Sequence, residues 1–457
     1  DLLHRAVKRI FEGDVDSNPI KSIKVINLSI GDSTLLFYHT MSPVAKLLDW
    51  LSFKYHVLFI ISAGNHLNSL ELPTFYKDFK LLSDLEKEKS IYTKIIGDMR
   101  NRRLLSPSES INNITVGSIH HDNSKLREYD RRINPSLRLL PNVHSAFGGG
   151  YRKSIKPDMV FYGGRQFFLE AFLDNRPTPL NFSCNKIEPG QLIAAPSPDL
   201  NKTIFSRGTS NATALITRGA IKIAETLKDI FQEDYSKPLY DQYIPLLIKV
   251  MLAHGCSWGE IETNLYEILK DTYTISEIKE ILTRWIGYGV PDIDCVIDCT
   301  AQRVTVLGFG EIDVDKIHLF QLPLPPSLSA RPENRTLTIT LGWFSPIASN
   351  TQKYRVSSLF FEAENHILGV KRDNADYHSV KRGTLQHEVF VGENATPFED
   401  GSNLGIRVIC KKDASAFNIA IPYALAATLE VANEIDLPIY QEVRNRLITP
   451  IIVEQPV

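Results

Sequence analysis

Gly208-Thr209-Ser210-Asn211-Ala212-Thr213-Ala214-Leu215-Ile216 is the stretch on which the reading of this chain turns. Its glycine permits a sharp turn and a close backbone approach to a neighbour. Ala212, Leu215, Ile216, Ala220 and Ile223 follow at helical spacing, which predicts a helix from Thr209 to about Phe231 with one buried side. Ser210 then falls in the first turn, where unpaired N–H groups and the positive end of the helix dipole favour negative charge. Gly-Thr-Ser is also an ordinary way to begin a helix, so its meaning depends on what lies upstream.

Upstream, Val57-Leu58-Phe59-Ile60-Ile61 is a continuous apolar run, as expected of a strand covered on both faces. Lys24 to Leu28 predicts an earlier strand, preceded by a helix over Leu2 to Phe11. Ser42-Pro43 is a strong helix start, and Ala45, Leu47, Leu48 and Leu51 mark the buried side of a helix to about Lys54. Strand, helix and strand at these lengths make a right-handed βαβ unit. Ser62-Ala63-Gly64-Asn65 therefore ends a parallel strand at the sheet's carboxyl edge, where open α/β sheets place their chemistry.

Six segments in fixed order carry a resemblance to the C-terminal two-thirds of a subtilisin-like serine protease domain, over roughly Lys24 to Gly289. Asn27-Leu28-Ser29-Ile30-Gly31 resembles the family's Ser-Leu-Gly strand, and Ser62-Ala63-Gly64-Asn65 its Ala-Ala-Gly-Asn strand end. Ile114-Thr115-Val116-Gly117-Ser118 resembles the Val-Gly-Ala strand, and Lys156-Pro157-Asp158 with Gly163-Gly164 the Lys-Pro-Asp…Pro-Gly segment. Gly208-Thr209-Ser210 resembles the nucleophile motif, and Tyr288-Gly289 the closing Gly-Tyr-Gly turn.

The resemblance implies an α/β fold with a parallel sheet and helices on both faces, and a serine endopeptidase acting on polypeptides. Ser210 would be the nucleophile and Asn65 the side-chain donor to the oxyanion. Ser29, Ile30 and Gly31 would form one wall of the substrate cleft and Ser62, Ala63 and Gly64 the other, with room for a sizeable apolar side chain. An extended peptide could add to the first wall as a strand. Two departures stand out. The family's Ala-Pro after the serine is Thr213-Ala214 here, which leaves a normal helix. Its Asp and His precede the Ser-Leu-Gly strand by many residues, so both are expected upstream of Asp1.

None of the twelve histidines replaces that base. His254-Gly255 ends an apolar helix and reads as helix C-cap chemistry. His66 would point away from Asn65, and His120-His121-Asp122 reads as a surface turn rather than a metal corner. The loop His144 to Gly150 is glycine-rich but lacks the Gly-Lys-Ser/Thr ending of a phosphate-cradling loop. Cys184, Cys256, Cys295, Cys299 and Cys410 form no disulfide framework, and Cys295 and Cys299 are expected as buried thiols. No cofactor or metal is expected.

At 457 residues, with 43% hydrophobic and 23% charged residues and a net charge of −2, the chain has an ordinary globular composition. That balance argues against nucleic acid or anionic membrane as partners, and no apolar run approaches the roughly 20 residues that span a bilayer. A reducing, cytoplasmic setting is the simplest expectation. Residues 1–300 are expected as the protease-like domain, with a helical insert at about 67–107 bearing Asp84-Leu85-Glu86-Lys87-Glu88-Lys89, either a solvated addition or a lid or partner-docking element that begins beside Asn65. Helices at Pro245 to His254 and Ser276 to Trp285 complete it. Beyond, Leu337, Ile339, Leu341 and Trp343 alternate with threonines, which predicts an all-β sandwich or jelly roll over 301–457. His254 to Trp258 and Trp343 to Pro346 are similar to a bacterial subset of the family paired with AAA-type ATPases in phage defence, which implies such a partner. The rival reading is a catalytically inactive subtilase-fold scaffold acting with that ATPase.

Overall fold

The computed structural model describes residues 1–125, 131–171, 175–198, 201–233, 241–349, 351, 353–373, 377–414, 418–447 and 453–456. Five strands, β1 (Val25–Leu28), β2 (Leu58–Ser62), β3 (Leu70–Phe75), β4 (Ile114–Ile119) and β5 (Met159–Tyr162), come first in the chain. The helices up to Ile286 are α1 (Leu2–Glu12), α2 (Pro43–Tyr55), α3 (Tyr76–Leu81), α4 (Asp84–Gly97), α5 (Thr209–Glu233), α6 (Ile244–His254), α7 (Gly259–Leu269) and α8 (Ile275–Ile286).

A strand with no polar position has to be covered on both faces, and β2 is: every residue of it is buried. It is an inner strand of a four-stranded sheet in the order β1-β2-β4-β5, all parallel. Alternate side chains leave a strand on opposite faces. Leu58 and Ile60 join Val116, Met159, Ala212, Ile216 and Ala220 beneath α5. Phe59 and Ile61 join Val7 of α1 and Leu48 and Leu51 of α2. Burying each such Leu, Ile or Phe contributes roughly 1.5–3 kcal/mol. The two helical layers are thus fixed by the two faces of one five-residue strand.

Local chemistry sets the helix starts. Ser42 Oγ accepts the Ala45 N–H at 3.1 Å and Pro43 takes the first position of α2. In α5 the Thr213 hydroxyl bonds back to the Thr209 carbonyl at 2.7 Å, and the helix runs without interruption through Ala214.

The connection from Asn65 to β4 differs from the expected solvated insert. It opens with a strand, β3, paired antiparallel with Pro177–Phe182, and its helices pack inward. Ile91, Tyr92 and Ile95 of α4 are fully buried beside Trp285 of α8 and Leu265 of α7. Even Glu88, counted within a charged run, is buried, where it accepts the Ser136 hydroxyl (2.7 Å) and pairs with Arg138 (2.6 Å). A charge run looks solvated only until a partner cation supplies a buried position.

Past Ile297 the chain becomes antiparallel β structure. One sheet runs in the order Arg303–Ile312, Ile421–Val431, Arg335–Trp343, Leu385–Gly392 and Lys371–Arg372. The other runs Ser357–Ala363, Asn403–Lys412, Lys316–Pro323 and Val453–Pro456. Leu337, Ile339, Phe361, Ile406 and Val408 share one core between them.

Helix α6 ties this region to the parallel sheet. Lys249 Nζ donates to the carbonyls of Asn112 (3.0 Å) and Trp343 (3.1 Å) and to Thr384 Oγ1 (2.7 Å). His254, expected to cap its helix, instead places its ring between Thr340 (2.8 Å) and Thr428 (2.7 Å) of the antiparallel sheet. Gly255 beside it has φ −81, outside the left-handed region of a glycine cap. His120 also departs from expectation: it is buried and bonded to Asn134 at 2.9 Å, while Asp122 pairs with Arg165. Cys299 is exposed and Cys295 half-buried against Arg303, so neither is the deeply buried thiol expected.

Candidate functional site

The carboxyl ends of β1, β2 and β5 meet the start of α5 at one edge of the sheet. Ser29–Gly31 follow β1, Ala63–Asn65 follow β2 and Gly163–Gly164 follow β5. The Gly208 N–H donates to the Gly163 carbonyl at 2.9 Å, which seats the helix start on the sheet. Gly208 itself has φ +151, and a β-carbon there would lie 3.2 Å from Asn65 Nδ2. Glycine is needed for that approach.

Asn65 is held by one residue. Its Oδ1 accepts the Thr209 N–H at 2.9 Å and the Thr209 hydroxyl at 3.2 Å, and that hydroxyl in turn accepts the Gly64 N–H at 3.3 Å. A backbone N–H demands an acceptor, so the amide oxygen must face Thr209 and the NH2 group must face away. Asn65 Nδ2 has no protein partner among the described residues, and Asn65 and Ser210 are both half-buried residues. The Ser210 N–H, second in α5, precedes the range of intrahelical bonds. The Asn65 amide is thus tied to the residue that precedes Ser210, at the start of the same helix, and donors placed at a helix start can stabilise an oxygen that gains negative charge.

The two expected walls are brought together. Ser29 Oγ bonds Asn27 Oδ1 (2.8 Å) and reaches the Ser210 carbonyl at 3.4 Å, while Ser62 Oγ donates to the Ile30 carbonyl at 3.3 Å. Ile30 is 52% exposed, and Ala63 is fully buried. The space between the walls is not open, however. The Leu105 side chain fills it: a β-carbon on Gly31 would lie 3.2 Å from Leu105 Cβ, and one on Gly64 would collide with Leu105 Cγ at 2.5 Å. Leu105 is pinned by its N–H to the Ala63 carbonyl (3.1 Å) and by a bridge to Leu36. Thr209 and Leu105 were the residues the sequence reading missed. Thr209 lay inside the quoted motif, whereas nothing local marks Leu105.

The histidines near this edge face elsewhere. His66 Nε2 lies 2.7 Å from the Arg103 carbonyl, and His144 Nε2 lies 3.4 Å from Ser118 Oγ. Burial lowers His144 to about 3, so its ring is neutral. None of the described histidines bonds to Ser210. Beside Asn65 a hollow of about 240 Å³ is lined by His144, Gln166, Cys184, Ser206 and Arg207. Arg207 shapes it by donating to the carbonyls of Pro189 (2.6 Å), Asn185 (2.9 Å) and Ile187. No group of three or more histidine, cysteine or acidic residues placed to hold a metal occurs among the described residues. No helix among them is long and apolar enough to cross a membrane.

A parallel sheet with a serine at a helix start, an asparagine amide beside it and a buried Lys156–Asp158 pair (2.5 Å) under β4 is the architecture of a subtilase-type protease domain. Residues 6–242 match the Peptidase S8, or subtilase, family, and the chain belongs to that family. It is 23% identical over 340 residues to the uncharacterized protein y4bN of Sinorhizobium fredii, covering 72% of this chain and 69% of that protein. Among solved structures it is similar to the self-cleaved protease domain of PatA (14% identity, 65% of each chain, TM-score 0.31). A protease from Pseudoalteromonas arctica is similar at 14% identity, with 65% of this chain, 57% of that chain and a TM-score of 0.30. The chain thus spans less than two thirds of either solved relative's length.

Proposed function

We propose that this chain carries the nucleophile and oxyanion site of a serine endopeptidase. Ser210 Oγ attacks the scissile carbonyl, and the Asn65 Nδ2 and Ser210 N–H groups hold the oxyanion. The observation that carries this reading is the Thr209–Asn65 bond, which spends the amide oxygen on the fold and leaves the amide nitrogen for a ligand. None of the described histidines bonds to Ser210, so the reading needs a base supplied by some other group. Without it the hydroxyl stays protonated and weakly nucleophilic.

Substrate is an extended polypeptide laid along Ser29–Gly31. Because Leu105 occupies the gap between Gly31 and Gly64, the residue before the scissile bond is small, glycine or alanine, rather than the sizeable apolar side chain the wall residues alone would admit. Labelling with a serine-directed phosphonate tests the assignment. The longest natural polypeptide containing this chain should label at Ser210 and cleave peptides, and Ser210→Ala should abolish both. Peptide cleavage that survives Ser210→Ala would overturn it. Absence of labelling in that polypeptide would instead support the inactive scaffold, a reading favoured by the filled gap, with an AAA-type ATPase as its proposed partner.

A further inference from the structure

A second cavity, of about 1060 Å³, lies where the parallel-sheet region meets the antiparallel sheets. Six cationic side chains line it: Lys46, Arg103, Arg152, Lys153, Arg284 and Arg382, with no aspartate or glutamate among the lining residues. The whole chain has a net charge of −2, so this excess belongs to the cavity and not to the composition.

Three of the six are already engaged. Arg152 pairs with Asp413 at 3.0 Å, Arg284 with Glu280, and Lys46 donates to the Ser349 carbonyl at 3.0 Å. Arg103, Lys153 and Arg382 have no carboxylate partner among the described residues, and Arg103 Nε is buried without any hydrogen-bond partner. The backbone is bent to hold two of the cations there. Arg152 and Lys153 are consecutive non-glycine residues with φ of 52 and 63, a conformation that costs any residue bearing a β-carbon. Tyr38 and Tyr151 lie under the Arg103 and Arg152 guanidinium groups at 5.0 and 5.4 Å and limit their movement.

We propose that this cavity binds a polyphosphate-bearing small molecule of nucleoside-triphosphate size. Guanidinium forks match phosphate oxygens in geometry and charge. Three cations without a carboxylate partner call for a ligand of several negative charges, which phosphates in series supply, and the volume of about 1060 Å³ is at the upper end of small-molecule sites. Recognition comes from side-chain cations; the Gly148–Gly150 loop has no phosphate-cradling pattern, and Gly148 serves the turn through its φ of +133. The site is independent of Ser210.

Isothermal titration calorimetry on the 457-residue chain at physiological ionic strength tests it, with ATP, inorganic tripolyphosphate and AMP as probes. ATP and tripolyphosphate should each saturate one site at least about tenfold more tightly than AMP. Equal affinities would assign recognition to the phosphate chain alone, and tighter ATP would add the nucleoside. The double variant Arg103→Gln/Arg382→Gln should weaken both by about tenfold or more. Lys153→Gln, on an exposed side chain that cannot disturb the core, should weaken both in the same direction. No saturable binding, AMP as tight as ATP, or affinities unmoved by Lys153→Gln and by the folded double variant would overturn the proposal.

Discussion

Thr209 N–H and Asn65 Oδ1 meet at 2.9 Å across 144 positions of sequence. That one bond orients the amide that the proposed chemistry needs, and it makes the asparagine's two ends separable. Asn65→Asp retains the acceptor for Thr209 but replaces the free NH2 with a negatively charged oxygen. In the active polypeptide it should lower kcat by about 10²–10³-fold or more with little change in Tm. Asn65→Ala should lose similar activity and in addition cost about 1–3 kcal/mol, because the Thr209 N–H loses its acceptor. Peptide kinetics alongside thermal melts distinguish the two, and an Asn65→Asp variant with full activity would remove the oxyanion role.

Leu105 and Gly64 form the second testable pair. Gly64 has φ +105 and its missing β-carbon is what lets Leu105 lie against it. Gly64→Ala should destabilise by about 3 kcal/mol through strain and overpacking, and Leu105→Ala by about 3 kcal/mol through a cavity. Combined, they should fall short of the sum by about 1 kcal/mol, because the collision is relieved. Urea denaturation measures this cycle. In the active polypeptide Leu105→Ala should also admit larger side chains before the scissile bond, and unchanged side-chain preference would show that the gap is not a subsite.

Acid should unfold the chain through its buried histidines. Burial lowers His120 and His387 to about 4 and His144 and His254 to about 3. Their folded values lie below the unfolded one, so the unfolded state takes up more protons as pH falls from about 6.5. Stability is whole above pH 6.5 and declines toward pH 4, each ring contributing on the order of 3 kcal/mol over that span. Melting temperatures from pH 7 to 4.5 should fall steeply, and a flat profile would contradict the assignment.

The connection from Asn65 to β4 should behave as core. Tyr92 donates its hydroxyl to the Pro141 carbonyl at 2.9 Å and packs on Trp285 at 5.7 Å between ring centres. Tyr92→Ala should cost about 3–5 kcal/mol, as other buried aromatic truncations do. Replacing Thr74 to Arg103 by a short Gly/Ser loop should give an insoluble or unfolded chain by circular dichroism. A soluble, cooperatively melting product would restore the view of this segment as a surface addition.

What the sequence by itself determined is whatever repeats locally. The all-apolar run at Val57–Ile61 required a doubly covered strand, the spacing after Ser210 required a helix, and Leu337 to Trp343 required a strand with two unlike faces. Those patterns depend only on the periods of helix and strand. They sufficed to bring Asn65 and the Ser210 helix to one sheet edge. The tertiary structure alone decided which side chains fill the spaces between elements. Leu105 enters the gap between Gly31 and Gly64 from a segment 40 residues past Asn65, Glu88 goes inside because Arg138 meets it, and His120 is buried against Asn134. The cations around the 1060 Å³ cavity come from five separate stretches of chain. A residue's polarity states what its burial would cost, but only the folded chain supplies the partner that offsets that cost.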